Sequence, residues 1–404
     1  MSYIYLDNAA TTRPSERALD ALRSVSAGDA FANPASQHAA GDAAKRALAQ
    51  ARRTIASCLH ARPSEVTLTS GGSEANNQAL LTGAAYGART GKRHIVASAI
   101  EHLSVLATLE WLASADGPYG GSFEVSYVAP REDGVVSVED VKAAVRDDTC
   151  LVSLMYANNE VGALQPVREV CRMCRKREIL FHTDAVQAAG HVAIDFTRDG
   201  FDLLSISGHK FHGPRGCGAL LCSHRIVPAT LVHGGAQERG HRAGTVDVAS
   251  ACGMAAALED ACDGLDANRE TLERLRGRLA EGLGRIPGTR VLGPADPERR
   301  VGGIVALTLA GVDHDPALVL LDERGICVSA GSACAAGAVE PSHVLAAMGV
   351  SEQESRTYLR ISLDAVENDE QDVDAAVAAI ASVAATLRTR NANGMGGTDS
   401  GSAR

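Results

Sequence analysis

Five lysines occur in the chain, and one of them, Lys210, is placed for covalent chemistry. It follows the apolar run Leu203-Leu204-Ser205-Ile206-Ser207, in a turn of small residues flanked by His209 and His212. A lysine drawn out of water gives up its proton more readily and becomes a nucleophile able to form a Schiff base. An ordinary loop lysine is the competing reading. Thr69-Ser70-Gly71-Gly72-Ser73-Glu74 joins a short strand to a helix. Glycines there let backbone amides approach a ligand, and a helix N-terminus favours an anion. A plain N-cap by Ser73 would look the same. Asp184, in Phe181-His182-Thr183-Asp184-Ala185-Val186-Gln187, ends an apolar strand, where open α/β sheets bind ligands. Its carboxylate suits a protonated ring nitrogen, or else caps a helix that follows. A phosphate cradle, a strand-end carboxylate and a strand-end lysine in one domain together describe a pyridoxal 5′-phosphate (PLP) site.

A second nucleophile is a thiol. Cys334 lies in Val328-Ser329-Ala330-Gly331-Ser332-Ala333-Cys334-Ala335-Ala336-Gly337. Such tiny neighbours offer nothing to bury it, so the pattern predicts a mobile loop thiol open to nucleophilic work. Cys327 sits in a strand-like stretch and reads as a small core residue. Cys171-x-x-Cys174 has no partner pair for a zinc site and falls on a helix, one turn apart, so no metal site is expected.

These residues need a framework. The chain has 404 residues, 39 basic and 49 acidic side chains, and a net charge of −10. That balance disfavours nonspecific nucleic-acid binding, which rests on Lys and Arg. No apolar run is long enough for a membrane span. No export signal is seen at the N-terminus, so the ten cysteines are expected to be reduced thiols of a cytoplasmic protein. Helix and strand patterns alternate over the first 260 or so residues, predicting α/β with a large, mostly parallel sheet over 15–262. Predicted strands include 65–69, 94–98, 150–155, 179–184 and 203–207, with 218–222 beside them; predicted helices include 34–61, 74–86 and 104–113. Residues 1–14 and 263–390 form a smaller α+β domain carrying the cysteine loop. It contains a charged helix over 268–284, strands at 301–309 and 325–329, and a closing helix over 370–387. The Gly-, Ser- and Asn-rich tail 391–404 is expected to be disordered.

Seven motifs stand in order along the chain: Tyr5 to Thr12, Thr69 to Asn77, Ala157-Asn158-Asn159-Glu160-Val161-Gly162, His182 to Gln187, Ser207-Gly208-His209-Lys210, Gly234 to Thr245, and Ser329 to Cys334. In these the sequence resembles the NifS/IscS-type cysteine desulfurases, within the class V aminotransferase-like PLP enzymes, over nearly its whole length. The Gly-Ser-Ala-Cys form is similar to the group with a longer, mobile cysteine loop. The resemblance implies fold type I and a homodimer that removes sulfur from L-cysteine, leaving L-alanine and a persulfide on Cys334. Lys210 would be the Schiff-base lysine, and His102 would stack on the pyridine ring and shuttle protons. Asp184 would pair with the ring nitrogen and Gln187 with the ring hydroxyl. Gly72, Ser73, Ser207 and His209 would hold the phosphate, with Thr245 reaching the neighbouring subunit's phosphate. Asn158 and Arg360 would orient the substrate carboxylate, which the planar guanidinium fork matches bidentately.

The persulfide would pass to an acceptor protein: an iron–sulfur scaffold, a tRNA-thiolation protein or a DNA-phosphorothioation protein. No direct contact with nucleic acid or membrane is implied. The sequence departs from the family pattern in the acidic run Asp364 to Glu370, in Ala335-Ala336-Gly337 after the cysteine, and in the second thiol Cys327. An aminotransferase or a selenocysteine lyase on the same scaffold is the alternative enzyme. A relay protein without cofactor would not need Lys210, Asp184 and His102 together. A Rossmann oxidoreductase lacks its Gly-x-Gly-x-x-Gly.

Overall fold

The computed structural model describes residues 3–331 and 342–395, with side chains to residue 391, so Cys334 lies outside the described residues. Twelve strands are formed among the described residues: β1 (Ile4–Tyr5), β2 (Val66–Thr69), β3 (His94–Ser98), β4 (Glu124–Val128), β5 (Thr149–Ser153), β6 (Leu180–Asp184), β7 (Leu203–Ser207), β8 (Gly218–Cys222), β9 (Thr289–Leu292), β10 (Ile304–Leu309), β11 (Ile326–Cys327) and β12 (Tyr358–Ser362). Seven of them make one sheet in the order β2-β8-β7-β6-β5-β3-β4. Four of its pairings are parallel, so the expected α/β class with a mostly parallel sheet is the one observed. The pairings of β8 with β7 and β2 are antiparallel. An uninterrupted apolar run reads alike in either direction, so orientation was not in the pattern.

Strands β5 to β7 are buried at every position because helices cover both faces of the sheet. On one face Ile55, Val170, Phe181, Ile206 and Leu258 join a core shared with helices 39–58, 167–176 and 248–263. On the other, Ala79, Leu80, Leu109 and Leu151 pack helices 72–90 and 103–113. Cys171 and Cys174 are both buried on the inner face of helix 167–176, as two thiols one turn apart should be.

A second, three-stranded sheet, β12-β10-β9, is antiparallel. It has its own core, built from Leu275, Leu279, Val305, Leu307, Ile361 and Ile380. β1 pairs in parallel with β11, and Leu6 joins this core. A further cluster, with Ile100, Met155, Val161, Ala306, Leu345 and Tyr358, fills the junction between the two sheets.

Several boundaries differ from the sequence reading, most by a few residues. Ala39, not Pro34, begins the second helix, after an N-cap by His38 whose ring accepts from Gly41 N. Residues 186–190 make turns, where the competing reading of Asp184 put a capped helix. The closing helix runs past Asn391 to Met395, into the stretch read as disordered; residues 396–404 lie outside the described residues.

Candidate active site

Because β3, β5, β6 and β7 are parallel, the residues that follow them gather at one edge of the sheet. His102 follows β3, Met155 follows β5, Asp184 ends β6 and Ser207 ends β7. With Lys210, Gly72, Ser73, Asn76, Gln187, His209 and Arg360 they line a cavity of about 180 Å³.

Lys210 sits in a tight turn of residues 208–210 right after β7. Its Nζ donates to the carbonyl oxygens of Ala9 and Ala10, the latter at 2.9 Å. The N-terminal segment is fastened here: Thr12 N donates to His209 O at 2.9 Å and Thr12 Oγ1 accepts from His212 N at 2.8 Å. Main-chain oxygens thus aim the ammonium group. They leave no trace in a motif search, because any residue type would supply them.

Asp184 Oδ1 accepts from Val186 N at 2.9 Å, which fixes the turn after β6. Oδ2 accepts from Asn76 Nδ2 at 2.7 Å. The carboxylate therefore braces its own turn rather than capping a helix. Helix 72–90 begins at Gly71, with φ of 151°, and has no side-chain cap. Ser73 lies inside the helix, so its first amides are left for an anion. A Cβ at Gly72 would stand 2.7 Å from Val186 Cγ2, so only glycine lets this helix end press against the Asp184 turn. His209 faces Thr11 Oγ1 at 3.2 Å, and burial, with Lys210 and Arg215 nearby, pushes its imidazole down to about 4. It is a neutral ring in the neutral pH range.

His102 caps helix 103–113: its Nδ1 accepts from Ser104 N at 3.1 Å and lies 2.8 Å from Ser104 Oγ. Burial, helped by the Lys210 and His343 charges, holds its pKa below the usual imidazole value against the pull of Asp184. Glu101 beside it is fully buried, accepts at Oε1 from Ser98 Oγ (2.6 Å) and Met155 N (2.7 Å), and is pushed up to about 8 by burial. Arg360, from the middle of β12, is 1% exposed. It donates to Asp7 Oδ1 at 2.7 Å and to Asn159 O at 3.0 Å.

Not every predicted residue meets the cavity. The Asn158 side chain is used by its own turn, accepting from Glu160 N and Val161 N, both at 2.9 Å; its neighbour Asn159 lines the cavity instead. Thr245 is exposed and apart from the cavity of its own chain. Cys327 is half-buried in β11, and burial with Asp322 and Asp7 raises its thiol pKa. The ends that flank residues 332–341 are both tied beside the cavity. Ser329 bridges Arg360 through paired backbone bonds. Ser342 Oγ donates to Glu160 Oε2 at 2.5 Å, and His343 Nε2 donates to Glu101 O at 2.9 Å. Asn76 and Ser104 were missed from sequence. The signal for Asn76 was its position one turn after Ser73, on the same helix face.

The residues present fit PLP. Asn76 Oδ1, Gln187 Oε1 and Arg360 Nε are buried without a hydrogen-bond partner among the described residues, and all three side chains line this cavity. Buried polar atoms are seldom left so, and a polar ligand would satisfy them.

Comparison with known proteins places the chain. The Aminotransferase class-V family matches residues 4–376. The cysteine desulfurase IscS of Clostridium botulinum is 41% identical over 372 residues, 92% of this chain and 91% of that one. A solved NifS-like protein superposes with a TM-score of 0.87 at 35% identity, covering 95% of this chain and all of that one. SspA, solved in complex with cysteine, superposes with a TM-score of 0.74 at 34% identity over 89% of this chain and 98% of its own. The chain belongs to the class-V aminotransferases, and within them to the cysteine desulfurases. Its fold is accordingly the type I fold of PLP enzymes.

Proposed function

We propose that the cavity binds PLP and L-cysteine and that the substrate's sulfur leaves on Cys334. The observation that carries this is the set of unpartnered buried atoms on Asn76, Gln187 and Arg360, around Lys210, Asp184 and His102. When bound, PLP supplies an electron sink for the charge that develops at the substrate Cα. Lys210 Nζ, aimed by Ala9 O and Ala10 O, would be the side chain that holds PLP and the base that takes the substrate Cα proton. Asp184 would hold a proton on the cofactor's ring nitrogen, and His102 would lie against the ring. The uncapped amides at Gly72 and Ser73, with Ser207 and His209, would hold its phosphate, and Gln187 would meet its ring hydroxyl. Arg360 binds the substrate carboxylate. Asn158 acts through its turn, which presents Asn159 to both the cavity and Arg360.

Cys334 Sγ, as thiolate, attacks the substrate sulfur. The sulfur–Cβ bond breaks and its electron pair stays on carbon, which is protonated to give alanine. Cys334 keeps the sulfur as a persulfide, so no outside oxidant is required. The tethered ends of residues 332–341 support this assignment, since both lie within reach of the cavity. Thr245, exposed on its own chain, is assigned to the phosphate of a second subunit in a homodimer. Sulfur then passes to an acceptor protein of iron–sulfur assembly or of tRNA or DNA thio-modification.

The experiment is absorbance and product analysis of the PLP-loaded protein given L-cysteine. Imine absorbance that Lys210→Ala abolishes, with alanine released by the unaltered protein, bears out the reading. Conversion of PLP to its amine form without alanine or sulfur transfer would instead mark an aminotransferase.

A further inference from the structure

The surroundings of His102 select one form of its imidazole. Asn76 is 1% exposed, and its Nδ2 lies 2.7 Å from Asp184 Oδ2 and 3.0 Å from Ser104 Oγ. An amide NH2 has two hydrogens and only donates. The opposite amide orientation would set its oxygen against the carboxylate. Asn76 therefore gives one hydrogen to Asp184 and the other to the Ser104 hydroxyl. Ser104 Oγ, already accepting, has a single hydrogen, and its other neighbour is His102 Nδ1 at 2.8 Å. Ser104 N donates to the same Nδ1 at 3.1 Å. Ser104 is itself held, its carbonyl accepting from Asn77 Nδ2 at 3.1 Å and from Thr108 Oγ1 at 2.8 Å.

We infer that the chain Asp184–Asn76–Ser104 fixes His102 as the Nε2–H tautomer, so that the imidazole enters the reaction as a hydrogen-bond donor and not as a base. Two donors on Nδ1 leave no room for a proton there, so a doubly protonated ring would have to give up both bonds. The neutral ring must then carry its proton on Nε2, the nitrogen for which no partner is found among the described residues. Asn76 and Ser104 are positioning residues: they make the state of His102 depend on Asp184, the carboxylate assigned to the ring nitrogen. The base is left to be Lys210. This rests on the placement of His102 in the site proposed above.

The test is ring-nitrogen NMR of the PLP-loaded protein labelled at histidine, with the His102 signals assigned by their absence in His102→Gln. Nδ1 unprotonated and Nε2 protonated through the neutral pH range is the expected result; a proton on Nδ1 overturns the inference. Ser104→Ala should raise the Nδ1–H fraction at least about fivefold and lower kcat about tenfold with KM unchanged, since positioned proton donors contribute at least that much. Ser104→Thr keeps the hydroxyl and should restore both. Should Ser104→Ala not fold, Asn76→Ala removes the donor that commits the hydroxyl and should move the tautomer the same way. A tautomer and kcat indifferent to both changes overturn the inference even if the enzyme is a fully active desulfurase. A fixed Nε2–H in a protein that releases no alanine would uphold it and count against the desulfurase reading alone.

Discussion

Removing Arg360 should abolish recognition of the substrate carboxylate while leaving the fold standing. Its bonds to Asp7 Oδ1 and Asn159 O occupy two of the five guanidinium hydrogens. Nε is buried without a partner among the described residues, next to the cavity. A carboxylate taking Nε–H and one remaining Nη–H gains two charge-assisted bonds, each worth about 1.5–3 kcal/mol. Arg360→Ala then loses about 4 kcal/mol, or about 1,000-fold in kcat/KM. The interaction exists in both bound states, so most of the loss belongs in KM. Arg360→Lys keeps the charge without the fork and should lose roughly half that free energy, about 30-fold. Asp7 loses its partner in Arg360→Ala, but its side chain is 19% exposed, so water can take up part of the deficit. The assay is steady-state alanine release from L-cysteine by the PLP-loaded variants, with melting temperature as the control. A KM for Arg360→Ala within twofold of the unaltered protein, or a loss confined to kcat, refutes the reasoning.

Cys327→Ser should retain at least half of the alanine release, because that thiol is held in β11 and its pKa is raised, first by burial; a loss of about tenfold or more, measured by the same assay, would make Cys327 a working thiol. Glu238→Ala should lower the melting temperature by about 3 °C, at about 3 kcal/mol and about 1 °C per kcal/mol in a chain this long. Its side chain, 2% exposed, accepts from Arg52 Nη2 at 2.6 Å and from Leu68 N at 2.9 Å, which ties the 234–245 motif to β2. The pair His212 Nε2–Asp364 Oδ2, at 2.8 Å, predicts a pH dependence. Burial opposes charge on both, but each partner outweighs it, so His212 is raised and Asp364 lowered. The His212 contribution is full below about pH 6.5 and is lost as pH rises through its elevated value; the Asp364 contribution is full above about pH 4 and is lost as pH falls through its depressed value. Asp364→Asn should therefore cost about 2 kcal/mol between those limits and progressively less at higher pH, read by denaturant unfolding.

The sequence carried much of this site because strand-end chemistry is local. Lys210, Asp184 and Gly72 each sit where an apolar run stops, and that is visible without coordinates. Asn76 and Ser104 were not visible: short polar residues near the start of a helix resemble solvent-facing positions until the partner element is known. The oxygens of Ala9 and Ala10 belong to the backbone and have no sequence signature. Strands β4 and β9 were missed because their faces are partly exposed and carry charge, Glu124 and Arg290 among them, as sheet edges do. The acidic departure at Asp364, noted in sequence only as a change of charge, turned out to be a buried partner of His212, two residues beyond the lysine.

The central claim, that sulfur moves from L-cysteine to Cys334 in a site built on Lys210, is tested most directly by mass spectrometry of the PLP-loaded protein after incubation with L-cysteine. The expected result is a gain of one sulfur on the peptide containing Cys334, with alanine released, and no gain in Cys334→Ser. The same sulfur on the Cys327 peptide, or alanine release undiminished in Cys334→Ser, would contradict it.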